Sequence, residues 1–173
     1  MDSFRDVLNG LALVDHHAHG LLRRPPRSLD EFRGLLSEST DPRQWPHVAW
    51  SLTYRRAMRA LAEHVGCAAD EQAVYEARRG MEWSAYAESL LRATGTERLL
   101  VDTGFPAADV GTSVSELGEL AGCEARPVLR IEAVAEGGEG GLRSLEAVAA
   151  RIAAARAEGY VALKTVAAYR GGL

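Results

Sequence analysis

The run ERLLVDTG (97–104) opens the texture that decides the fold. It is an apolar stretch of strand length, and SVSELGELAG (113–122) follows it with the spacing of an amphipathic helix. RPVLRIEAV (126–134) then reads as a strand, GLRSLEAVAARIAAARAEG (141–159) as a helix and YVALKTVAAY (160–169) as a further strand. Near-continuous apolar strands joined by amphipathic helices predict a parallel sheet covered by helices. In the second helix, Leu142, Leu145, Val148 and Ile152 make a stripe at helical spacing, and Gly159 stands where a helix-ending glycine belongs. The glycines of EGGEGG (136–141) read as a rim loop.

Upstream, residues 11–16 read as another buried strand, which delivers LVDHHAHG (13–20) at its C-terminal end. Between the two strand regions the pattern is helical. SLDEFRGLLSES (28–39) offers Ser28 as an N-cap with Glu31 three positions on, a capping box, and helices are predicted over 43–65, 70–79 and 81–93. Leu52, Met58, Leu61 and Val65 approximate one face of the longest. The expected plan is therefore a first strand in 1–20, a helical, lid-like insertion in 21–95 and strands two to four in 96–173. The fold class is α/β, a partial (β/α)8 TIM-like barrel of four parallel strands. A complete barrel takes about 250 residues, so the chain reads as an N-terminal half whose natural protein continues.

Composition excludes several classes. With 173 residues, 47% hydrophobic and 25% charged, the chain can build one core. A net charge of -4 argues against nucleic acid, since the basic clusters RRPPR (23–27) and YRRAMR (54–59) are short enough to be solvated surface. Cys67 and Cys123 lie far apart without CxxC spacing, which suits a reducing compartment. No stretch has the length of a membrane span or the form of a signal peptide, so the expectation is a cytoplasmic protein acting on a small molecule.

Three of the five histidines fall within LVDHHAHG. Side chains alternate along a strand, so His17 and His19 share a face and can present two nitrogens to one Zn²⁺-like divalent ion. The pattern is neither HxHxDH nor HExxH, which sets aside two other zinc-hydrolase signatures. Lys164 is the one lysine among 20 basic residues. Arginine keeps its proton, whereas a buried lysine can lose one and act as base or nucleophile, and strand alternation points Lys164 into the barrel. Asp102 and Glu132 stand near the C-terminal ends of their strands, the catalytic face of such barrels, as candidate substrate-binding groups. Arg130 shares a strand face with Glu132 and reads equally as its ion-pair partner or a substrate contact. Arg170 fits either a substrate carboxylate or a loop salt bridge. His47, His64 and the tryptophans at helical positions read as packing or surface.

DHHAHG (15–20) resembles the first-strand DxHxH of the amidohydrolase superfamily. LKTVAAYRGGL (163–173) resembles the fourth-strand segment of bacterial amidohydrolases related to those fused to glutamine synthetase-like domains. LLVDTGF (99–105) and VLRIEAVAE (128–136) are similar to the second and third strands of that group. The resemblance implies a metal-dependent hydrolase in which His17 and His19 hold the metal, Zn²⁺ being the expected ion. It further implies that Lys164 is a catalytic, metal-bridging ligand, carboxylated in several such groups. The family's remaining ligands are histidines on strands five and six and an aspartate on strand eight. Here no histidine follows His64 and no aspartate follows Asp109, so the piece alone is expected to be inactive. Decarboxylation or isomerisation by a similar barrel remains open, as does a non-catalytic half barrel whose exposed sheet edges would favour a homo-oligomer.

Overall fold

Four strands, β1 (Leu13–His19), β2 (Thr96–Asp102), β3 (Glu124–Arg130) and β4 (Ala162–Lys164), pair in sequence order, and every pair is parallel. The computed structural model thus has a curled, half-barrel sheet. It describes residue 7, residues 10–137 and residues 144–170, with Tyr169 and Arg170 by backbone alone. The chain divides into two compact units, one of residues up to Arg23 with those from Leu91 onward, the other Arg24–Leu90. Among the described residues no helix is long and apolar enough to cross a membrane.

In the sheet unit, Leu99 and Val101 of β2 pack with Leu117 and Ala121 of α6 (Val114–Ala121). Alternation therefore turns Arg98, Leu100 and Asp102 to the opposite face. Leu129 of β3 packs likewise on Val134 of α7 (Ile131–Glu136) and Ala155 of α8 (Leu145–Ala155). Glu124, Arg126, Val128 and Arg130 thus share the face of Asp102. Across it Glu124 accepts hydrogen bonds from Arg98 Nε and Arg126 Nε, each at 2.6 Å.

Several sequence expectations are corrected here. The first strand starts and ends later than 11–16 and is mostly exposed, with Leu13 at 49% and Val14 at 52%, because among the described residues β1 pairs on one side only. β3 stops at Arg130, where the Ala- and Glu-rich residues 131–136 turn into α7, so Glu132 stands in a helix rather than on the strand. β4 is three residues long, and Ala167–Arg170 form the short helix α9 instead of extending it. α8 ends at Ala155, and Gly159, with φ of 91°, turns the chain into β4. Val148 and Ile152 of the predicted stripe pack inward, Leu145 is 84% exposed at the helix start, and Leu142 lies outside the described residues. So do residues 138–141 of the glycine-rich stretch.

The helical unit holds α1 (Leu29–Gly34), α2 (Trp45–Val48), α3 (Leu52–Val65), α4 (Glu71–Gly80) and the start of α5 (Trp83–Ala93). Ser28 caps α1 by accepting from the Glu31 amide at 3.1 Å, while the Glu31 carboxylate reaches back to the Arg27 amide at 2.6 Å. The single helix predicted over 43–65 is broken at Ala49–Ser51, where Ser51 accepts from the Tyr54 amide and starts α3. The buried face of α3 is Tyr54, Met58 and Ala62, packed with Phe32, Val74 and Tyr75. Leu52, at its first position, is exposed instead.

Candidate functional site

The C-terminal ends of β1, β2 and β4 bring His17, His19, Asp102 and Lys164 together. A register shift between Asp15 and Ala18 inserts an extra residue into β1 as it reaches the histidines. Bulges of this kind re-aim side chains beside functional sites. Strict alternation is interrupted there, and both His16 and His17 border a cleft of about 320 Å³ that Asp102, Lys164 and Thr165 also line. A groove of about 940 Å³ along the other end of the sheet is larger, but it holds no histidine, and of its polar residues Arg98, Glu124, Arg126, Arg156 and Tyr160 the first three are already paired with one another. Chemistry, not volume, singles out the smaller cleft.

His17, which borders the cleft, holds its Nε2 3.3 Å from His19 Nε2. The orientation of His19 follows from its other nitrogen: Nδ1 lies 3.2 Å from the Phe105 carbonyl, which can only accept, so Nδ1 is the donor and the neutral ring keeps its lone pair on Nε2. The Phe105 ring also meets His19 edge-on at 5.6 Å. The loop that presents Phe105 is stitched to the exit of β1, where the Thr112 amide donates to the Leu21 carbonyl and the Leu21 amide to Thr112 Oγ1, each at 2.9 Å. Lys164 Nζ donates to His17 Nε2 at 2.6 Å. The His17 imidazole is pushed below its ordinary value by burial and by Lys164 and His19, with Asp102 pulling the other way. It is therefore neutral near pH 7, the form that binds a metal.

Asp102 is the hub beneath these groups. Only 2% exposed, it accepts from the Gly104 amide at 2.8 Å, from Arg130 Nε at 3.0 Å and from Lys164 Nζ at 2.9 Å, and its contact with Arg130 Nη2 is closer still. Burial works against its charge, but the hydrogen bonds from Arg130, Lys164 and Gly104 outweigh burial and hold the carboxyl at about 2. Arg130 reaches it by lying across Gly104, where a Cβ would stand 2.8 Å from Arg130 Cδ. Sequence reading offered Arg130 either Glu132 or a substrate as its partner. The structure separates Arg130 from Glu132 because α7 begins at Ile131, and alternation no longer relates the two.

Glu132 is not in the cleft. Its carboxylate takes the Thr165 hydroxyl and, at 2.9 Å, the Val166 amide. The side chain of Arg170 lies outside the described residues. His64 faces Ser89 Oγ at 3.1 Å in the helical unit. Sequence reasoning missed Arg130 as the partner of Asp102 and the carbonyl of Phe105. A backbone acceptor carries no residue-type signal, and the glycine of VDTG was the one legible hint of a close approach.

The donor set fits a divalent metal of the zinc type. Two nitrogens at about 2.0–2.1 Å from a tetrahedral Zn²⁺ lie about 3.3 Å apart, which is the separation of the two Nε2 atoms here. Among the described residues no group of three His, Cys, Asp or Glu converges, so the histidine pair supplies two ligands of that kind and no more.

No protein-family model matches the chain, and no curated protein matches it significantly. Among solved structures, a candidate metal-dependent hydrolase from Lactobacillus casei ATCC 334 is similar over 100% of this chain, with a TM-score of 0.78 and 25% sequence identity. The chain spans 46% of that protein's length.

Proposed function

We propose that this chain carries the metal-holding first half of a metal-dependent hydrolase of the amidohydrolase type, acting on an amide or ester bond of a small molecule. The observation that carries the reading is the convergence of His17 Nε2 and His19 Nε2 at 3.3 Å, with Lys164 Nζ 2.6 Å from the first. The similarity to a candidate metal-dependent hydrolase supports it. His17 and His19 are the nitrogen ligands and Lys164 the third group, Zn²⁺ being the proposed ion. A metal bound there supplies Lewis-acid polarisation of the scissile carbonyl and water that ionises near neutral pH. The chain's own residues prepare for this: Phe105 O fixes the His19 tautomer, while Asp102 and Arg130 hold Lys164 beside His17.

Titration of the purified chain with Zn²⁺ against a chromophoric chelator, and with Co²⁺ read by its visible absorption, tests the proposal. Uptake of one equivalent or more with nitrogen-ligand absorption is the expected result. Lys164→Arg keeps the positive charge but can be neither deprotonated nor carboxylated, and it should weaken Zn²⁺ binding by about 10-fold or more. A wild-type chain that takes up neither ion at micromolar concentration overturns the reading.

A further inference from the structure

We infer that Glu132 is a positioning residue for Lys164, acting through the corner that follows β4. Lys164 is the last residue of a three-residue strand that pairs with β3 alone among the described residues, and its ladder ends at the pair Arg130 and Lys164. A strand this short, held on one side, has little of its own to keep its end in place. Beyond that last pair the backbone of β3 has turned away into α7. Just past the ladder's end, a side chain takes over the attachment. Glu132, in the first turn of α7, accepts the Thr165 hydroxyl and the Val166 amide on the same carboxylate oxygen, Oε1. Thr165 Oγ1 in turn accepts the Ala167 amide at 3.2 Å, closing the corner.

The fastening continues inward. Val166, next to the clipped residue, is 2% exposed. On the other side of the clip stands Lys164, whose Nζ must reach both His17 Nε2 and Asp102 Oδ2. An amine that meets two partners at hydrogen-bond distance from a three-residue strand needs a fixed backbone at that strand's end, and Glu132 provides it without touching the cleft. This gives Glu132 a role different from the substrate contact expected of it on a strand end.

The inference draws its functional weight from the metal reading above, but its test reads Lys164 directly. Lys164 is the one lysine of the chain, so an amine-acylating reagent reports on a single side chain, with the α-amine as internal reference. Glu132→Ala should speed labelling of Lys164 by about tenfold, because hydrogen bonds to a charged acceptor are worth a factor of that order, and should speed hydrogen exchange of the Val166 amide likewise. Glu132→Gln, whose amide oxygen still accepts both bonds, should restore both rates to within a few-fold of wild type. Thr165→Val, which removes one of the two donors, should fall between. Val134→Ala destabilises the same helix from its buried side and should leave Lys164 labelling unchanged, which separates positioning from general loosening. With Zn²⁺ as probe, Glu132→Ala should bind about 10- to 100-fold more weakly, the range typical of groups that orient ligands. Wild-type labelling and exchange rates in a folded Glu132→Ala chain overturn the inference. Absence of Zn²⁺ uptake by the wild-type chain overturns the metal reading instead, and the labelling rates still decide the role of Glu132.

Discussion

His17→Ala should cost the chain at least about 100-fold in Zn²⁺ affinity, beyond the roughly 10- to 100-fold that orienting groups typically control. The expectation follows from position. His17 Nε2 faces both His19 Nε2 and Lys164 Nζ, so removing its ring takes away the atom that joins the two halves of the donor set. His19 alone, tethered through Phe105, leaves a single nitrogen ligand. Equilibrium dialysis with metal analysis by mass spectrometry measures the loss. His47→Ala and His64→Ala are the controls, since neither is among the residues that line the cleft and His64 faces Ser89. Equal metal content in His17→Ala and wild type would remove the histidine pair from consideration as a metal site.

Asp102→Asn should destabilise the sheet unit by about 3 kcal/mol, at the low end of what breaking a buried ion pair costs. Asn retains the shape and one acceptor but leaves Arg130 and Lys164, 14% and 18% exposed, without a countercharge. By contrast, a pair such as Arg43 and Asp41, whose arginine is 88% exposed, is expected to contribute little. Urea unfolding followed by circular dichroism, with an unchanged denaturant slope, reads the difference. A pH series adds a second check. The Asp102 carboxyl titrates at about 2 in the folded chain, well below its ordinary 3.8, so its contribution is complete above about pH 4 and is lost as pH falls toward 2. The wild-type advantage over Asp102→Asn should therefore shrink by about 2 kcal/mol across that window. A difference under about 0.5 kcal/mol at pH 7 would show that the buried network does not hold the sheet end together.

What the sequence determined by itself was periodicity and residue type. The alternation of apolar runs and amphipathic stretches after residue 96 was enough for a parallel sheet covered by helices, because each helix must cover the strands it connects. HxH spacing and the isolated lysine were enough to nominate His17, His19 and Lys164, because two-residue strand alternation and the chemistry of a deprotonatable amine are local properties. Where elements stop was less legible. RPVLRIEAV reads as one apolar run, yet the chain changes from strand to helix at Ile131, and that turn moves Glu132 out of the face it would share with Arg130. Tertiary structure alone decided the partners. Asp102 meets Arg130 across Gly104 and Lys164 from a strand 62 positions further on, and His19 is oriented by the carbonyl of Phe105, which no residue type announces. The physical reason is that burial and hydrogen-bond pairing depend on which strand ends the sheet brings together, a long-range property absent from any local pattern.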